Sequence, residues 1–335
     1  MLCDFAEFEL PLYSFPNEYF RIIGSCNGIV CLSDDLSCYM DGLYLWNPSI
    51  QKTMALPPVR VTFESHGPFM HSIGFGFDSQ TDDYKVVRIV FLDDGGFGFQ
   101  TPPEVDIFSL STGTWRNISH LGLQHTIWER ASQAFLNGAT HWFACNLTKG
   151  SKSVNLIVSF HMGDEVFSEI KAPGSIVHNN WLQRYRVAKF QESLSLIDMD
   201  TGANRCYVWV MKEYGVSESW TNLFNIDLSG GLGNRVAGFT RKGEVLFAKK
   251  TGHLVAYDPE TEQVMHVHFR GSTDSWDGDS FYADAYTESL VLVTCKESPV
   301  LLEEMREKKQ YVEKQVREKN EKMSKIKPER ERTGL

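Results

Sequence analysis

Residues that could do chemistry are present in this chain, but the spacings that known reactions require are not. The sequence contains no G-x-S-x-G nucleophile motif, no G-x-x-x-x-G-K-[ST] phosphate loop and no H-E-x-x-H zinc motif. Gly74-Phe75-Gly76 and Gly96-Phe97-Gly98 resemble the beginning of a dinucleotide-binding loop, but each lacks the third glycine and a following helix. A bulge or bend in a β-strand explains both glycine pairs better.

A pair of histidines and a glycine-rich loop each suggest a ligand site, but neither provides a complete one. His266 and His268 alternate along one stretch, which on a strand places both side chains on the same face, where they could share a metal ion. No third ligand follows nearby, so two ordinary strand histidines are the better interpretation. The Asp227–Asn234 stretch could cradle an anion with backbone amides, but a connection between blades is favoured because no helix begins after it. The sequence therefore predicts no catalytic residue, no metal site and no cofactor.

The cysteines and the first residues indicate a reducing compartment. Seven cysteines are scattered through the chain, and the closest three, Cys26, Cys31 and Cys38, do not match a paired zinc spacing. They are interpreted as buried, reduced thiols. The chain begins with acidic residues rather than the basic segment of a signal peptide, and no apolar run reaches about 18 residues, the length of a membrane span. We expect a protein of the cytoplasm or the nucleus, with no membrane contact.

A repeated strand–turn–strand unit is the element that must position any site. Leu43–Pro57, LYLWNPSIQKTMALP, reads as two extended runs separated by Asn47-Pro48-Ser49, because proline offers no donor to a strand ladder and asparagine favours a turn. The same outline recurs at four later stretches: Val105–Ile118, Leu156–Ile170, Cys206–Phe224 and His253–Phe269. The steps of roughly 50 to 65 residues are typical of propeller blades.

A further hairpin precedes each of these units, with Asn27-Gly28 and Asn137-Gly138 as the clearest turns. Two successive hairpins make a four-stranded blade. The sequence thus predicts an all-β fold, a β-propeller-like array of about six four-stranded antiparallel blades. The sixth blade, beginning at Phe281–Val293, is incomplete or closed by a strand from residues 1–20. Residues 21–297 would form the propeller, and residues 298–335 a charged C-terminal helix or disordered tail.

The charge is distributed unevenly along the chain. The net charge is −10, and residues 301–335 contain 11 Lys and Arg against 8 Asp and Glu, so the acidity lies in the part before them. An acidic globular part argues against nonspecific nucleic-acid binding. The tail has few apolar residues and several Glu–Lys pairs at i,i+4, which indicates a solvated helix rather than a coiled coil.

Loop lengths suggest where a partner would bind. The turns within hairpins are short, whereas the connections at the opposite edge of the blades are long and contain aromatic residues. A single loop aromatic is usually a packing residue, but several on one edge favour a recognition surface, because aromatics dominate the binding energy of interfaces. The predicted target-binding rim consists of Phe69, Phe97, Phe99, Trp128, Trp181, Trp276 and Asp277.

Six stretches together resemble the F-box associated domain of plant F-box proteins, a kelch-like interaction domain. They are GSCNGIVCLSD (24–34), LYLWNPSIQK (43–52), GFGFDSQTDDYKVVRIV (74–90), EVDIFSLSTGTWRNI (104–118), FLNGATHWFA (135–144) and VWVMKEYGVSESWTNLF (208–224). FYADAYTESLVLV (281–293) is similar to the S-locus F-box and F-box-like group. The resemblance covers about residues 20–295.

The resemblance implies a target-recognition subunit of an SCF ubiquitin ligase, non-catalytic, whose propeller binds an unknown protein target. In that family an N-terminal F-box holds a Skp-type adaptor, and this sequence shows no such segment, so adaptor binding is expected only if an F-box lies upstream. The sequence then corresponds either to a truncated gene model or to a real paralogue without an F-box. The charged tail is also not typical of the family.

Two alternatives to a ligase subunit follow. The first is an interaction protein that binds targets without directing ubiquitination. The second is a propeller enzyme such as a glycoside hydrolase, which would need two carboxylates facing one another across a pocket. The absence of catalytic motifs argues against the enzyme.

Overall fold

The computed structural model describes residues 20–34, 42–95, 102–145, 155–174, 176, 184–249, 251–270, 286–291 and 293. These residues form five antiparallel sheets in which the strands follow one another in sequence order. Runs rich in β-branched and aromatic residues, bounded by turn residues, account for the strands. The predicted all-β, propeller-type architecture is confirmed.

Each sheet is one blade. Blade 1 contains β1 (Arg21–Cys26), β2 (Ile29–Ser33), β3 (Leu43–Asn47) and β4 (Lys52–Ala55). Blade 2 follows the four-residue helix α1 (Phe63–His66) and contains β5 (Phe69–Asp78), β6 (Asp83–Leu92), β7 (Glu104–Ser109) and β8 (Thr114–Asn117). Blade 3 contains β10 (Gln133–Leu136), β11 (Ala139–Cys145), β12 (Asn155–His161) and β13 (Val166–Lys171), with the short β9 (Thr126–Ile127) paired to β11.

The last two described blades follow the same plan. Blade 4 contains β14 (Tyr185–Phe190), β15 (Ser193–Asp200), β16 (Arg205–Met211) and β17 (Trp220–Asp227). Blade 5 contains β18 (Arg235–Phe239), β19 (Val245–Ala248), β20 (His253–Asp258) and β21 (Gln263–Arg270). Single 3-10 turns cover Pro48–Ile50, Ser119–Leu121 and Ser217–Ser219.

The number of blades differs from the predicted six, because the described residues form five. Of the predicted sixth blade, Phe281–Val293, the structure describes residues 286–291 and 293, and none of these lies in a strand. Asn47 Nδ2, at the end of β3, donates to the carbonyl oxygens of Ser289 and Val291, both at 2.9 Å. Val293 packs into the core shared by blades 1 and 2. The hydroxyls of Ser49 and Tyr286 lie 2.7 Å apart, and the N–H of Ser289 donates to Ser49 Oγ at 3.2 Å. This closing segment, residues 286–291 and 293, therefore lies against blade 1, and side-chain hydrogen bonds hold its described residues instead of a strand ladder.

The predicted terminal elements lie almost entirely outside the described residues. Only Phe20 represents the proposed blade-closing strand of residues 1–20, and its ring meets that of Tyr44 edge-on at 5.4 Å between centroids. The proposed helix of residues 298–335 has no described residue. Both assignments stay predictions.

The two Asn-Gly hairpin turns form as predicted. Both residues have positive φ in each turn, 46° and 79° at Asn27-Gly28 and 52° and 75° at Asn137-Gly138. The flanking strands pair across the turns, Cys26 with Ile29 and Leu136 with Ala139. Two consecutive positive φ angles are those of the type I′ turn, whose twist matches that of the strands it joins.

Apolar side chains fill the spaces between neighbouring blades. One cluster joins blades 1 and 2 around Phe75, and another joins blades 2 and 3 around Trp142. Two more join blades 3 and 4 around Leu196, and blades 4 and 5 around Phe247. All four of these side chains are fully buried. Each blade therefore depends on its neighbours to bury its faces, as expected for a radial repeat.

Three tryptophans add a polar contact across the blade boundaries. Each indole N–H donates to a backbone oxygen outside its own blade: Trp115 to Pro57 at 2.9 Å, Trp142 to Ile73 at 3.2 Å and Trp220 to Lys171 at 2.9 Å. A buried indole needs such an acceptor, because an unpaired N–H is costly away from water. The boundaries are thus specified by hydrogen bonds as well as by packing.

Gly74 and Gly76 lie within β5, in a register that continues without a shift. The bulge that the sequence suggested is absent from this strand. A methyl group at Gly74 would overlap the side chain of Trp142, and one at Gly76 would overlap Phe135. Both positions are glycine because aromatic side chains of blade 3 approach the backbone of blade 2. The second glycine pair, at Gly96 and Gly98, lies outside the described residues.

Candidate functional site

The two rims of the propeller carry connections of different length. The long-loop rim is formed by the connections from the second to the third strand of a blade and from each blade to the next; the short-turn rim is the opposite edge. The connections between blades include residues 56–68, 118–132 and 172–184. In blades 4 and 5 the connection from the second to the third strand shortens to residues 201–204 and 249–252. The predicted difference between rims holds for blades 1 to 3 and is weaker beyond them.

Phe69 begins β5 at the long-loop rim and is partly buried. Its ring lies over the guanidinium of Arg88, 5.2 Å from Cζ to the ring centroid, and 5.7 Å from the ring of His71. Arg88 is 1% exposed and donates from Nη1 to the backbone oxygen of Val61 at 2.9 Å. Phe69 thus covers a buried cation through a cation–π contact, which gives it a packing role at this rim.

Trp128 lies in the connection before blade 3 and packs against the cluster that joins blades 2 and 3. Its backbone oxygen accepts a hydrogen bond from Ser72 Oγ at 2.6 Å, and the N–H of Arg130 donates to the oxygen of His71 at 3.1 Å. The connection therefore lies along the beginning of β5. The structure brings Phe69 and Trp128 to the same part of the long-loop rim, both partly buried.

The remaining predicted rim residues are Phe97, Phe99, Trp181, Trp276 and Asp277, and all five lie outside the described residues. The target-binding rim as a whole is thus neither confirmed nor contradicted.

An ion network at the short-turn rim joins blades 2 and 3, with Lys85 and Asp78 buried and Arg116 exposed. Lys85 Nζ lies 2.9 Å from Asp78 Oδ2 and 3.2 Å from Glu165 Oε1, and Glu165 also accepts from Arg116 at 2.5 Å. Burial alone would raise the pKa of Asp78, but hydrogen bonds from Lys85, Thr81 and a backbone amide outweigh it and lower the pKa to about 2. Opposite charges are paired throughout, so this network stabilises the blade boundary and leaves no group poised for proton transfer.

His141 on β11 makes the corresponding link between blades 3 and 4. Its Nδ1 lies 3.0 Å from the oxygen of Ala134, and its Nε2 lies 2.8 Å from the hydroxyl of Tyr214. Burial lowers the pKa of His141 to about 4, although hydrogen bonds to the Ala134 and Ala139 backbones oppose the shift. The imidazole is therefore neutral near pH 7 and acts as a structural hydrogen-bonding group.

The thiols are suited to packing rather than to catalysis. Cys26, Cys31, Cys145 and Cys206 are buried in their strands. Burial raises the pKa of Cys145 to about 11, and burial together with the charge of Asp198 raises that of Cys206 to about 12. A thiol must be ionised to act as a nucleophile or metal ligand. The prediction of buried, reduced thiols is confirmed for these four positions, which are free cysteines.

No group of three or more His, Cys, Asp or Glu side chains is arranged to hold a metal ion within the described ranges. His266 and His268 lie on β21, as the sequence suggested. The Asp227–Asn234 stretch connects blades 4 and 5, with Asp227 accepting from the N–H of Ser229 at 2.8 Å. No helix in the described part of the chain is long and apolar enough to span a membrane.

A cavity at the centre of the ring is the feature that sequence reasoning missed. The first strands of blades 1, 3, 4 and 5 contribute to its lining. Its basic lining residues are Arg21, Arg130, Arg186, Lys189 and Arg235. Each of the four arginines lies at the beginning of the first strand of a blade, or within three residues of it. That pattern is present in the sequence but becomes visible only when the strand boundaries are known.

Comparison with known proteins identifies the fold family. Residues 7–291 match the F-box associated beta propeller domain. F-box protein At3g07870 of Arabidopsis thaliana is 29% identical over 293 residues, covering 75% of this chain and 66% of the relative. F-box/kelch-repeat protein At3g23880 of the same plant is 30% identical over 210 residues, covering 62% and 53%. The chain thus spans between about half and two thirds of the length of these relatives.

Solved structures add little to this result. Dipeptidyl peptidase 4 of Porphyromonas gingivalis aligns with a TM-score of 0.38 at 8% identity, covering 71% of this chain and 37% of that protein, and similarity at this level supports no inference. The narrower resemblance to the S-locus group stays a prediction. Because the domain match extends over most of the sequence, the chain belongs to the F-box associated beta propeller domain family.

Proposed function

We propose that this chain recognises a protein target for an SCF-type E3 ubiquitin ligase and catalyses no reaction itself. The supporting observation is the match of residues 7–291 to the F-box associated domain, in a chain whose relatives are named F-box proteins. A ring of blades with long connections at one rim combines a rigid scaffold with variable loops, which suits protein recognition. The target would bind at the long-loop rim, through the aromatic residues predicted there.

The role of the Skp-type adaptor is a separate part of the proposal. The relatives carry F-box in their names, and this chain covers only part of their length. If an F-box accompanies the propeller, the adaptor binds there and the target is ubiquitinated. The second candidate is an interaction protein that binds the same target without the ligase.

An enzymatic function has less support. A glycoside hydrolase needs two carboxylates on opposite sides of its pocket. Among its described lining residues the central cavity has five basic side chains and no carboxylate. The buried thiols and the paired ion network also offer no activated nucleophile or base. The proposed partner is therefore a protein, with no nucleic acid, membrane or cofactor required, and the proposed location is the cytoplasm or the nucleus.

Co-purification from plant cells tests the proposal. The tagged chain is expressed with a differently tagged Skp-type adaptor, and a matched fusion carries the F-box of a relative ahead of residue 1. We expect both proteins to enrich the same target, and the fusion to bring down the adaptor as well. A Trp276→Ala variant of each serves as the control for capture through the rim.

Ubiquitination of the captured target distinguishes the two candidates. If the target gains ubiquitin only in cells that contain the fusion, the propeller supplies recognition and the F-box supplies the ligase. If the unfused chain captures the target and shields it from ubiquitination, the interaction protein is the better description. Failure of both proteins to enrich any target above the Trp276→Ala control would refute target recognition at this rim.

A further inference from the structure

Exposed apolar side chains gather at the short-turn rim. Among the residues that the structure describes, seven large apolar side chains are exposed, and one of them, Leu223, lies in the middle of β17. The other six lie in or beside the turns of the short-turn rim: Val166, Tyr214, Val264, Met265, Leu290 and Val291. A single exposed apolar residue is normal on a protein surface, whereas several along one edge indicate an interaction surface.

The closing segment presents the most exposed of these side chains. Leu290 is 83% exposed, yet the backbone on both sides of it is held in place. The N–H of Ser289 donates to Ser49 Oγ at 3.2 Å, and Asn47 Nδ2 donates to the carbonyl oxygens of Ser289 and Val291, both at 2.9 Å. Because this backbone is already ordered, a partner that binds Leu290 has little conformational entropy to remove.

Blade 5 lies beside the closing segment at this rim. Arg241, in the turn between β18 and β19, donates from Nη2 to the backbone oxygen of Tyr286 at 3.2 Å. The outer hairpin of the same blade exposes Val264 and Met265 at the beginning of β21. Blade 5 and the closing segment therefore contribute apolar side chains to neighbouring parts of one rim.

The turns around these apolar side chains are acidic. The short-turn-rim turns of blades 4 and 5, together with the closing segment, contain seven glutamates against Lys212, Arg241 and Lys242, a net charge of −4. Within the described part of the chain, the exposed carboxylates of Glu260 and Glu262 form no ion pair. Such a surface repels nucleic acids and anionic lipids and attracts basic groups.

We infer that the short-turn rim of blade 5 and the closing segment bind a segment of a partner protein that combines Lys or Arg with apolar side chains. The apolar side chains of the partner would cover Leu290 and Val264, and its cations would meet the glutamates of the surrounding turns. A second copy of this chain fits less well, because it would bring two surfaces of the same charge together. This surface is separate from the proposed target-binding rim, which lies at the opposite edge of the blades.

Fluorescence anisotropy with labelled peptides on the full chain tests the inference. The probe is a peptide of about 18 residues with Leu on one helical face and Lys on the other, compared with the same peptide carrying Glu in place of Lys. The variants are Leu290→Ser and Glu260→Gln. Their matched controls are Leu223→Ser on β17 and Glu64→Gln on α1, which lies in a connection of the long-loop rim.

All four substituted side chains are exposed, so the variants should fold as the unsubstituted protein does. We expect saturable binding of the Lys peptide that weakens about ten-fold in Leu290→Ser and about two-fold or more in Glu260→Gln, with no change in either control. Rising salt should weaken the binding, because opposite charges meet across the surface.

Hydrogen exchange on the unsubstituted protein locates the bound peptide independently of the variants. Binding should slow exchange in the turn of residues 259–262 and in residues 286–291, and leave the connection of residues 56–68 unchanged. The absence of saturable binding at millimolar concentration, equal binding by all five proteins, or equal binding of the Glu peptide overturns the inference.

The same assays identify the other possible occupants of the surface. Binding that appears only after residues 301–335 are removed assigns the surface to that segment of the same chain and overturns the partner. Self-association that Leu290→Ser abolishes, measured by analytical ultracentrifugation, assigns it to a second copy and also overturns the partner. Capture of a target at the long-loop rim enters neither result, so the proposed function and this inference can fail separately.

Discussion

Trp142 and the glycines of β5 show how single residues determine the spacing of the blades. The indole is fully buried between blades 2 and 3, donates to the oxygen of Ile73 and covers the backbone at Gly74. A side chain at Gly74 would have to displace either the ring or the strand. The packing of blade 3 against blade 2 therefore depends on the missing Cβ atom of the glycine as much as on the large ring of the tryptophan.

Gly74→Ala should destabilise the propeller by about 1–3 kcal/mol, because the added methyl group overlaps Trp142 in a packed interior. Gly230→Ala is the matched control, since a Cβ there meets no atom within 4 Å. Urea unfolding monitored by tryptophan fluorescence gives both free energies of unfolding. Equal free energies of unfolding for the two variants would show that the boundary between blades 2 and 3 accommodates the methyl group without a loss of stability.

Trp276→Ala tests the rim at the level of one side chain. Trp276 stands between Asp274 and Asp277 in a loop that the sequence identifies as a recognition candidate. We expect target affinity to fall by about 2 kcal/mol with no change in melting temperature, and association to slow as salt rises because the acidic neighbours favour a basic partner patch. If Trp276 instead fills core space, the variant loses about 3 kcal/mol of stability. Unchanged target affinity in a destabilised variant would show that Trp276 does not take part in target binding.

Individual strands and turns are joined by polar links as well as by apolar clusters. His141 of β11 reaches Tyr214 in the turn between β16 and β17, and Lys85 of β6 reaches Glu165 in the turn between β12 and β13. A strand of one blade thus contacts a turn of the next. Such links fix the angular position of each blade around the ring.

The stability of the propeller should fall as the pH falls from about 6.5 to about 4. His141 has its pKa lowered from 6.5 to about 4 in the folded protein, chiefly by burial. In this window the unfolded chain binds a proton that the folded chain does not, so protonation favours unfolding, by up to about 3 kcal/mol. Chemical denaturation at several pH values measures the slope, which His141→Gln should reduce. An identical slope in that variant would assign the pH dependence to other groups.

Asn47→Ala should release the closing segment from blade 1. The asparagine donates to Ser289 and Val291 and also accepts from the N–H of Ser49, so its removal loses three hydrogen bonds in a partly buried place. We expect faster hydrogen exchange and proteolysis at residues 286–291 and a loss of about 1–3 kcal/mol. Asn225→Ala, an exposed amide on β17, is the control. Protection of the segment in both variants would mean that the packing of Val293 and the hydrogen bonds of Tyr286 and Ser289 suffice to hold it.

At the scale of the whole molecule, the ring and the charged tail should be separable. Residues 301–335 are rich in Lys, Arg and Glu with thinly spaced apolar residues, so they bury little by pattern. Deleting them should leave stability within about 1 kcal/mol. A truncation before residue 286 should lower the melting temperature clearly, since it also removes the closing segment. A marked loss from the shorter deletion would show that the tail packs on the propeller.

The repeat architecture was predictable from the sequence because each hairpin carries its own local signal. The Asn-Gly turns require positive φ and short strands flank them, so Asn27-Gly28 and Asn137-Gly138 identify two blades before any contact is known. The blade count was not predictable in the same way. The closing segment has an alternating pattern, but its backbone is held by Asn47, more than 240 residues earlier. Likewise, the arginines that line the central cavity are far apart in sequence, and only the folded ring of blades brings them together.

The hydrogen bonds from Asn47 to the closing segment can form only late in the synthesis of the chain. The partners are 242 and 244 residues apart, so blade 1 leaves the ribosome long before the residues that complete it. At translation rates of roughly 5–20 residues per second, the delay is about 10 to 50 seconds. Throughout that interval the nascent blade 1 lacks Val293 from its core and exposes an apolar surface suited to chaperone binding. Slowing translation between blades 1 and 5 should therefore lower the soluble yield more than slowing it after residue 293.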